Sequence, residues 1–360
     1  KEKINLYNKF VNIIGMGVSG TQSAILANHL GARVFVSDAN TNMEIESNAM
    51  HLMHSHHIAT ETGLHTEKIF DSDLWIISPG IPKHSKIVIK ALEKNIPIVG
   101  EIEFASWFTE SPIIAITGSN GKTTTANMLY EMCQTKEING VMAGNMGIPF
   151  SMQVLDELKN PDKNRVYILE CSSFQMEFVH HFSPNLVLYT NISPDHLDRH
   201  ESMEEYIKMK MRVSANLKSD GFIVFNSDNK TLVNTIDGKK IKKLRPYGLK
   251  IKNGLFYLEN NKIHGPSGNI LLNRKELSVA GKHNLSNFFG AATCANLIGI
   301  NEKLISEAMK NFKGVEHRLE HALVINNVEF VNDSKATNIQ SVIVAIETFK
   351  KPTILILGGY

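Results

Sequence analysis

Ile113-Ile114-Ala115-Ile116-Thr117-Gly118-Ser119-Asn120-Gly121-Lys122-Thr123-Thr124-Thr125 runs from an apolar, β-branched stretch through a glycine turn into a lysine and a row of hydroxyls. Ala126 to Cys133 continue in a helical pattern. A strand, a glycine-rich turn and a helix N-terminus together make an anion cradle, because backbone N–H groups close on phosphate and the helix dipole favours negative charge. Lys122 can reach the outer phosphates, and the Thr123 hydroxyl is placed to hold Mg²⁺. Gly118, Ser119, Asn120, Gly121 and Thr124 complete the expected ATP contacts. The usual spacing of such loops is not met, since the position five before Gly121 is Ile116, so the loop reads as a shortened form. A plain glycine turn before a helix is the bland alternative. The order of strand, Gly-Lys-Thr and helix favours the ATP site.

Outward from this loop, composition sets the frame. The 360 residues suffice for two or three domains with real cores. Net charge is +2 with charges well mixed, so no basic face argues for nucleic acid. No apolar run approaches the roughly 20 residues of a membrane helix. Cys133, Cys171 and Cys294 are far apart and in no metal spacing, which suits a reducing cytosol and a cytoplasmic location. The polar start, Lys1 to Phe10, leads straight into a strand and reads as no signal peptide; without an initiator Met it reads as a piece of a longer chain.

Upstream, Phe10 to Ile14 reads as a buried strand, Gly15-Met16-Gly17-Val18-Ser19-Gly20 as a glycine turn, Thr21 to Leu30 as a helix, and Arg33 to Ser37 as a second strand with Asp38 at its end. This is a βαβ unit with a dinucleotide fingerprint, and alone it favours NAD. Leu74 to Ser78 is another apolar run, ended by Pro79-Gly80-Ile81-Pro82. His51, His54, His56, His57 and His65 crowd one polar stretch; without a carboxylate or cysteine in the spacing, a solvated helix or loop is the better reading than a metal site.

Downstream of a boundary at Ser111-Pro112, Ala143 to Gly147 is a tight turn and Val166 to Glu170 a strand ending on a carboxylate. Leu186 to Thr190 is a strand, and His196 beyond it reads equally as a metal ligand or a helix-cap neighbour. Tyr206 to Leu217 is helical in pattern, and Lys210 on it reads on its own as a solvated charge. Residues 250–280 alternate like an antiparallel β insert, and a helix follows through Leu297. Ala322 to Val331 reads as a hairpin turning at Asn326-Asn327, and Thr353 to Leu357 as a last strand. The expected fold is α/β throughout. A Rossmann-like domain covers 1–110, and a central phosphate-loop domain with the β insert covers 111–317. An incomplete third α/β domain begins at 318–360.

Several motifs in this order resemble the Mur ligases, ATP-dependent amide-forming enzymes of peptidoglycan precursor synthesis. They are GMGVSG at 15–20, SPGIP at 78–82, TGSNGKTTT at 117–125, GNMG at 144–147, ECSSFQ at 170–175, NISPDHLDRH at 191–200, YIKMK at 206–210, GKHNLSN at 281–287, HRLE at 317–320 and NDSKATN at 332–338. The phosphate loop is shared with folylpolyglutamate synthases. GMGVSG and SSFQ point to members that add D-glutamate to UDP-N-acetylmuramoyl-L-alanine.

The resemblance implies that the N-terminal domain holds UDP, with Ser19, Asp38, Ser78, Gly80 and Asn145 lining the UDP-sugar site. The arginine usual shortly after the aspartate is absent, the chain reading Asp38-Ala39-Asn40. It also implies phosphorylation of the L-alanyl carboxylate by ATP, then attack of the D-glutamate amine on the acyl phosphate. Lys122 and two Mg²⁺ supply positive charge. Thr123 and Glu170 match ligands of the first metal, and His196 one of the second. Lys210 matches a lysine carbamylated by CO₂, which would turn a cation into an anionic oxygen ligand. Asn287, Arg318 and Asp333 match nucleotide contacts, and Lys335 a lysine beside the reacting phosphate. A monomer, with no nucleic-acid or membrane partner, is expected. The rivals are another Mur ligase or a folylpolyglutamate synthase, an NAD-dependent oxidoreductase, and a non-catalytic nucleotide-binding module.

Overall fold

The computed structural model describes residues 4–195, 199–237, 243–251, 254–277, 279, 281–349 and 351–358. The chain opens with β1 (Phe10–Ile14), α1 (Val18–His29), β2 (Arg33–Asp38), α2 (Met43–His56), β3 (Ala59–Thr62), β4 (Leu74–Ile77), α3 (Lys86–Glu93), β5 (Ile98–Gly100) and the short α4 (Glu101–Ser106). It continues with β6 (Ile113–Thr117), α5 (Lys122–Met132), β7 (Asn139–Gly144), α6 (Phe150–Lys159), β8 (Arg165–Glu170), β9 (Leu186–Tyr189), α7 (Met203–Met211), β10 (Phe222–Asn226), α8 (Lys230–Asp237) and β11 (Leu244–Tyr247). Last come β12 (Tyr257–Glu259), β13 (Lys262–His264), β14 (Ile270–Asn273), α9 (Lys282–Leu297), α10 (Glu302–Asn311), β15 (Glu320–Ile325), β16 (Val328–Asn332) and α11 (Ile339–Thr348).

Among the described residues the strands form four sheets, with orders β3-β2-β1-β4-β5, β11-β10-β9-β6-β8-β7, β12-β13-β14 and β15-β16. The first is parallel and has the order of a mononucleotide-binding half with its switch point at β1 and β4. Its central strands are near-continuous apolar runs because helices cover both faces of a parallel sheet. Ile14, Phe35, Trp75, Ile77, Val88 and Ile98 fill one side of its core. The glycine turn sits where α1 meets β1, and a Cβ on Gly20 would fall on the Gly15 carbonyl oxygen, so only glycine lets helix and turn approach this closely.

By residue contacts the chain falls into two compact units, one of Lys1–Thr117, Lys136–Val187 and Leu197–Phe222, the other of Gly118–Thr135, Leu188–His196 and Ile223–Tyr360. Within the first, α1 and α4 pack on α6. The buried Glu103 accepts hydrogen bonds from the backbone N–H groups of His180, His181 and Phe182, and from Trp107 Nε1. Glu101, also buried, accepts from Ser151 N at 2.6 Å, and burial raises its pKa against that hydrogen bond. Within the second, α5 packs along α9, whose Phe288, Phe289, Ala291 and Ala292 are fully buried. Local chemistry sets the helix starts. Asn42, Ser202, Asn301 and Asn338 each cap a helix by accepting the N–H three residues on.

The three free cysteines are all buried, Cys171 in the first unit, Cys133 and Cys294 in the second. Burial pushes the Cys133 thiol up to about 12, and raises Cys171 and Cys294 as well.

The antiparallel insert read over 250–280 is the three-stranded sheet β12-β13-β14, though Asn253 of one proposed turn lies outside the described residues. The hairpin turns as read, with Asn326 and Asn327 at φ 49° and 64°, the two left-handed positions of a type I′ turn. Two expectations need correction. The helix read to Leu217 ends at Met211 and tightens into a 3₁₀ turn at Arg212–Ser214, where the Ser214 hydroxyl bonds back to the Met211 carbonyl. Thr353 to Leu357 forms no strand: no described strand pairs with it, its backbone has no ladder to join, and Ile354 and Ile356 are 92% and 88% exposed.

Candidate functional site

In the second unit, the loop Gly118 to Gly121 is held from several directions. Ser119 N and Asn120 N donate to the main-chain and side-chain oxygens of Asn191, and Thr190 Oγ1 and Asn191 Nδ2 donate to the Asn120 carbonyl. Ser119 Oγ exchanges hydrogen bonds with the Ser193 backbone. Gly121 sits at φ 81°, and a Cβ there would press to 2.6 Å of Asn287 Oδ1. That places the predicted nucleotide residue Asn287 directly against the loop. Lys122 Nζ folds back on the carbonyls of Gly118 and Ser119 at 3.0 and 2.9 Å. Thr124 is buried, and Thr123 Oγ1 accepts from Arg318 Nη2 at 3.3 Å.

Asp333 accepts the Leu319 N–H; burial raises its pKa, opposed by that bond and by the charge of Arg318. Lys335 is exposed, its backbone N–H given to the His317 carbonyl. The structure thus gathers Gly118, Ser119, Asn120, Gly121, Lys122, Thr123, Asn287 and Arg318, and sets Asp333 beside Arg318. Sequence reasoning missed Asn338 and Ser341, which both donate to Asn120 Oδ1. Asn338 lies inside the NDSKATN motif, the one signal that could have flagged it.

In the first unit, β6 and β8 pair so that Ile116 lies opposite Glu170, two residues before Gly118 in the chain. Glu170 is 2% exposed; its Oε1 accepts from Asn145 Nδ2 at 3.0 Å, while Oε2 is buried with no hydrogen-bond partner among the described residues. An orphaned carboxylate oxygen costs free energy unless something fills the position. A hard divalent cation, which takes oxygen ligands, fits it. Lys210 on α7 is also 2% exposed, its Nζ 4.5 Å from the Tyr206 ring centroid. The solvated charge that the sequence alone suggested is therefore corrected: this lysine is buried. Next to it, His200 bonds Ser173 Oγ at 2.9 Å and lies between Phe174 and Tyr206. His196 lies outside the described residues.

Also in this unit, a cleft of about 470 Å³ opens at the switch point of the first sheet, lined by Gly15, Ser19, Asp38, Ser78, Gly80 and their neighbours. Four of the five predicted UDP-sugar residues meet there. Asn145 is placed elsewhere, beside Glu170. Asp38 is buried, its carboxylate taking the Met16 N–H at 2.7 Å and the Asn40 N–H at 2.9 Å, so it also braces the glycine turn. The Ser78–Gly80 turn is held by Arg199, which donates to the Pro79 and Gly80 carbonyls and pairs with Glu177. Of the histidines read as one group, His51, His54 and His56 lie on α2, His57 closes it with a left-handed φ of 55°, and His65 stands apart on the cleft wall. No three metal-ligating side chains gather among the described residues.

Comparison with known proteins agrees with this layout. Residues 116–295 match the Mur ligase middle domain, and residues 10–87 the MurD N-terminal domain. The chain is 39% identical to the UDP-N-acetylmuramoylalanine–D-glutamate ligase of Christiangramia forsetii, covering 98% of this chain and 78% of that protein. The corresponding ligase of Bacteroides thetaiotaomicron is 38% identical over the same shares. The fold is similar to the crystal structure of the UDP-N-acetylmuramate:L-alanyl-γ-D-glutamyl-meso-diaminopimelate ligase of Neisseria meningitidis, with a TM-score of 0.61 at 18% identity, covering 86% of this chain and 99% of that one. A family domain spanning half of the residues and a ligase relative matched along nearly the whole chain lead to one conclusion: the chain belongs to the Mur ligase family.

Proposed function

We propose that this chain is an ATP-dependent ligase that joins D-glutamate to UDP-N-acetylmuramoyl-L-alanine, a cytoplasmic step of peptidoglycan precursor synthesis. The observation that carries the reading is the 39% identity, along 98% of the chain, to a ligase named for that reaction. The phosphate loop and the switch-point cleft supply the two binding functions it needs. On this reading 1–110 is the UDP-sugar domain, 111–317 the ATP domain and 318–360 the start of a third ligase domain, in a monomer without nucleic-acid or membrane partners. Among the described residues no helix is long and apolar enough to cross a membrane.

A carboxylate is a poor electrophile, so the L-alanyl carboxylate must be activated. Its oxygen attacks the γ-phosphorus of ATP, ADP leaves, and the D-glutamate nitrogen then displaces phosphate from the acyl carbon. The protein's task is positioning and charge neutralisation. The N–H groups of the loop and the Lys122 ammonium hold the phosphates, Asn287, Arg318 and Asp333 contact the nucleotide, Asp333 toward the ribose, and Lys335 lies beside the transferring group. Ser19, Asp38, Ser78, Gly80 and Asn145 hold the UDP-sugar. Thr123 and Glu170 are the proposed ligands of one Mg²⁺, with His196 and a CO₂-derived carbamate on Lys210 as further metal ligands. The metal, when bound, neutralises phosphate charge as the phosphoryl group moves.

Phosphate release tests this reading when substrates are omitted in turn. Release is expected only with ATP, Mg²⁺, UDP-N-acetylmuramoyl-L-alanine and D-glutamate together. Equal release with another amino acid in place of D-glutamate would overturn the acceptor assignment.

A further inference from the structure

The cleft wall carries a side chain to which neither the motifs nor the reading above gives a role. His65 is half-buried and lines the cleft with Asp38 and Ser78. Its Nδ1 lies 2.6 Å from Ser37 Oγ, and Ser37 Oγ lies 2.7 Å from Glu61 Oε1. Ser37 is fully buried near the end of β2, and strand register places Glu61 of β3 directly opposite it. Glu61 is itself fixed, accepting from Thr66 N and Thr66 Oγ1. Burial works against its charge, but the hydrogen bonds from Thr66 and Ser37 outweigh burial and hold its pKa below the usual carboxylate range. An ionised carboxylate only accepts, so Ser37 gives its one proton to Glu61 and must accept from His65. The imidazole therefore carries hydrogen on Nδ1, and Nε2 is left as a lone pair. No described residue bonds that nitrogen. Burial keeps the ring's pKa below its ordinary value despite the opposing charges of Glu61 and Asp38, so the ring is neutral near pH 7. Two other polar groups of the cleft are engaged, Asp38 by Met16 and Asn40, and Ser78 by the Gly15 carbonyl.

We infer that His65 is a specificity-determining contact for the uridine of the UDP-sugar, its Nε2 accepting a hydrogen bond from a uridine donor, with Ser37 and Glu61 fixing the tautomer that makes it an acceptor. The inference rests on reading the cleft as the seat of UDP. Uridine offers two kinds of donor, the imide N–H and the ribose hydroxyls. An acceptor facing the imide distinguishes uracil from cytosine, whose corresponding ring nitrogen carries no hydrogen.

Calorimetric titration of the full chain with UDP, 3-methyl-UDP and 2′-deoxy-UDP tests the contact. His65→Phe keeps a flat ring without nitrogens and is expected to bind UDP roughly tenfold more weakly. His65→Gln, which restores an acceptor, is expected to recover most of that loss. The analogue lacking the relevant donor should bind wild type and His65→Phe alike, and so identify imide or ribose. Because the neutral ring binds, the ratio of wild-type to His65→Phe affinity should be constant above about pH 7 and fall toward one as the pH drops through the lowered pKa; the terminal phosphate of UDP titrates alike for both proteins and cancels in the ratio. A purely structural role for His65 would not give this pH difference. Equal UDP affinity and equal pH profiles for wild type and both variants would overturn the inference while leaving the cleft assignment intact. Failure of wild type itself to bind UDP would overturn both.

Discussion

Lys122→Ala is expected to lower ATP-dependent phosphate release on the order of a thousandfold, the scale on which removal of one preorganised charge-stabilising group acts. The native fold should survive the change. In the structure the ammonium is bonded only 3.0 and 2.9 Å from two carbonyls of its own loop, among other contacts, and is not buried in a core. Those bonds hold the lysine at the mouth of the cradle, and phosphate oxygens would offer a stronger, charge-assisted alternative. Removing the side chain should cost stability about 1–2 kcal/mol, and leave the far-ultraviolet spectrum unchanged. Single-turnover kinetics and thermal unfolding measured on one preparation check both halves. Turnover retained in the variant would take the phosphate loop out of the chemistry.

The second large effect is expected at Lys210. A lysine only 2% exposed, with its nitrogen against the Tyr206 ring, must compensate the loss of water around its charge. Carbamylation is one way to do so, since it replaces the ammonium with an anion suited to a divalent metal. Lys210→Ala and Lys210→Arg are both expected to lose at least a hundredfold in turnover, the alanine variant regaining part of it with millimolar formate or acetate. Arginine matters as a control because it keeps the positive charge. Independently of activity, ¹³C-bicarbonate should give wild type a carbamate carbon resonance that both variants lack. Full activity in Lys210→Arg, or no such resonance in active wild type, removes the carbamate from the mechanism.

The parts of the site that could be read from sequence are those whose chemistry is local. Strand, glycine turn and helix follow one another within Ile113 to Cys133, so no distant partner was needed to recognise the cradle. The turn at Asn326-Asn327 was likewise written in the two residues that adopt it. What could not be read depends on neighbours distant in the chain. Nothing local distinguishes Lys210 from an exposed helix lysine; only the packing of α7 buries it. His65 stands close in sequence to four other histidines, whereas its side-chain hydrogen bond goes to Ser37, 28 residues away. Thr353 to Leu357 has the composition of a strand, and composition cannot say whether a partner strand lies beside it.

The three buried thiols have a practical consequence. A cysteine whose thiol is shielded and held protonated reacts with alkylating reagents only when its surroundings open. Cys171 lies in one compact unit, and Cys133 and Cys294 lie in the other, so the chain carries reporters for each without any engineering. Mass spectrometry of peptides from a timed iodoacetamide reaction would give an opening rate for each site. Equal rates would mean the protein opens as one cooperative body. A faster rate at Cys171, or at the other pair, would identify which half opens first and is therefore the more exposed to proteases.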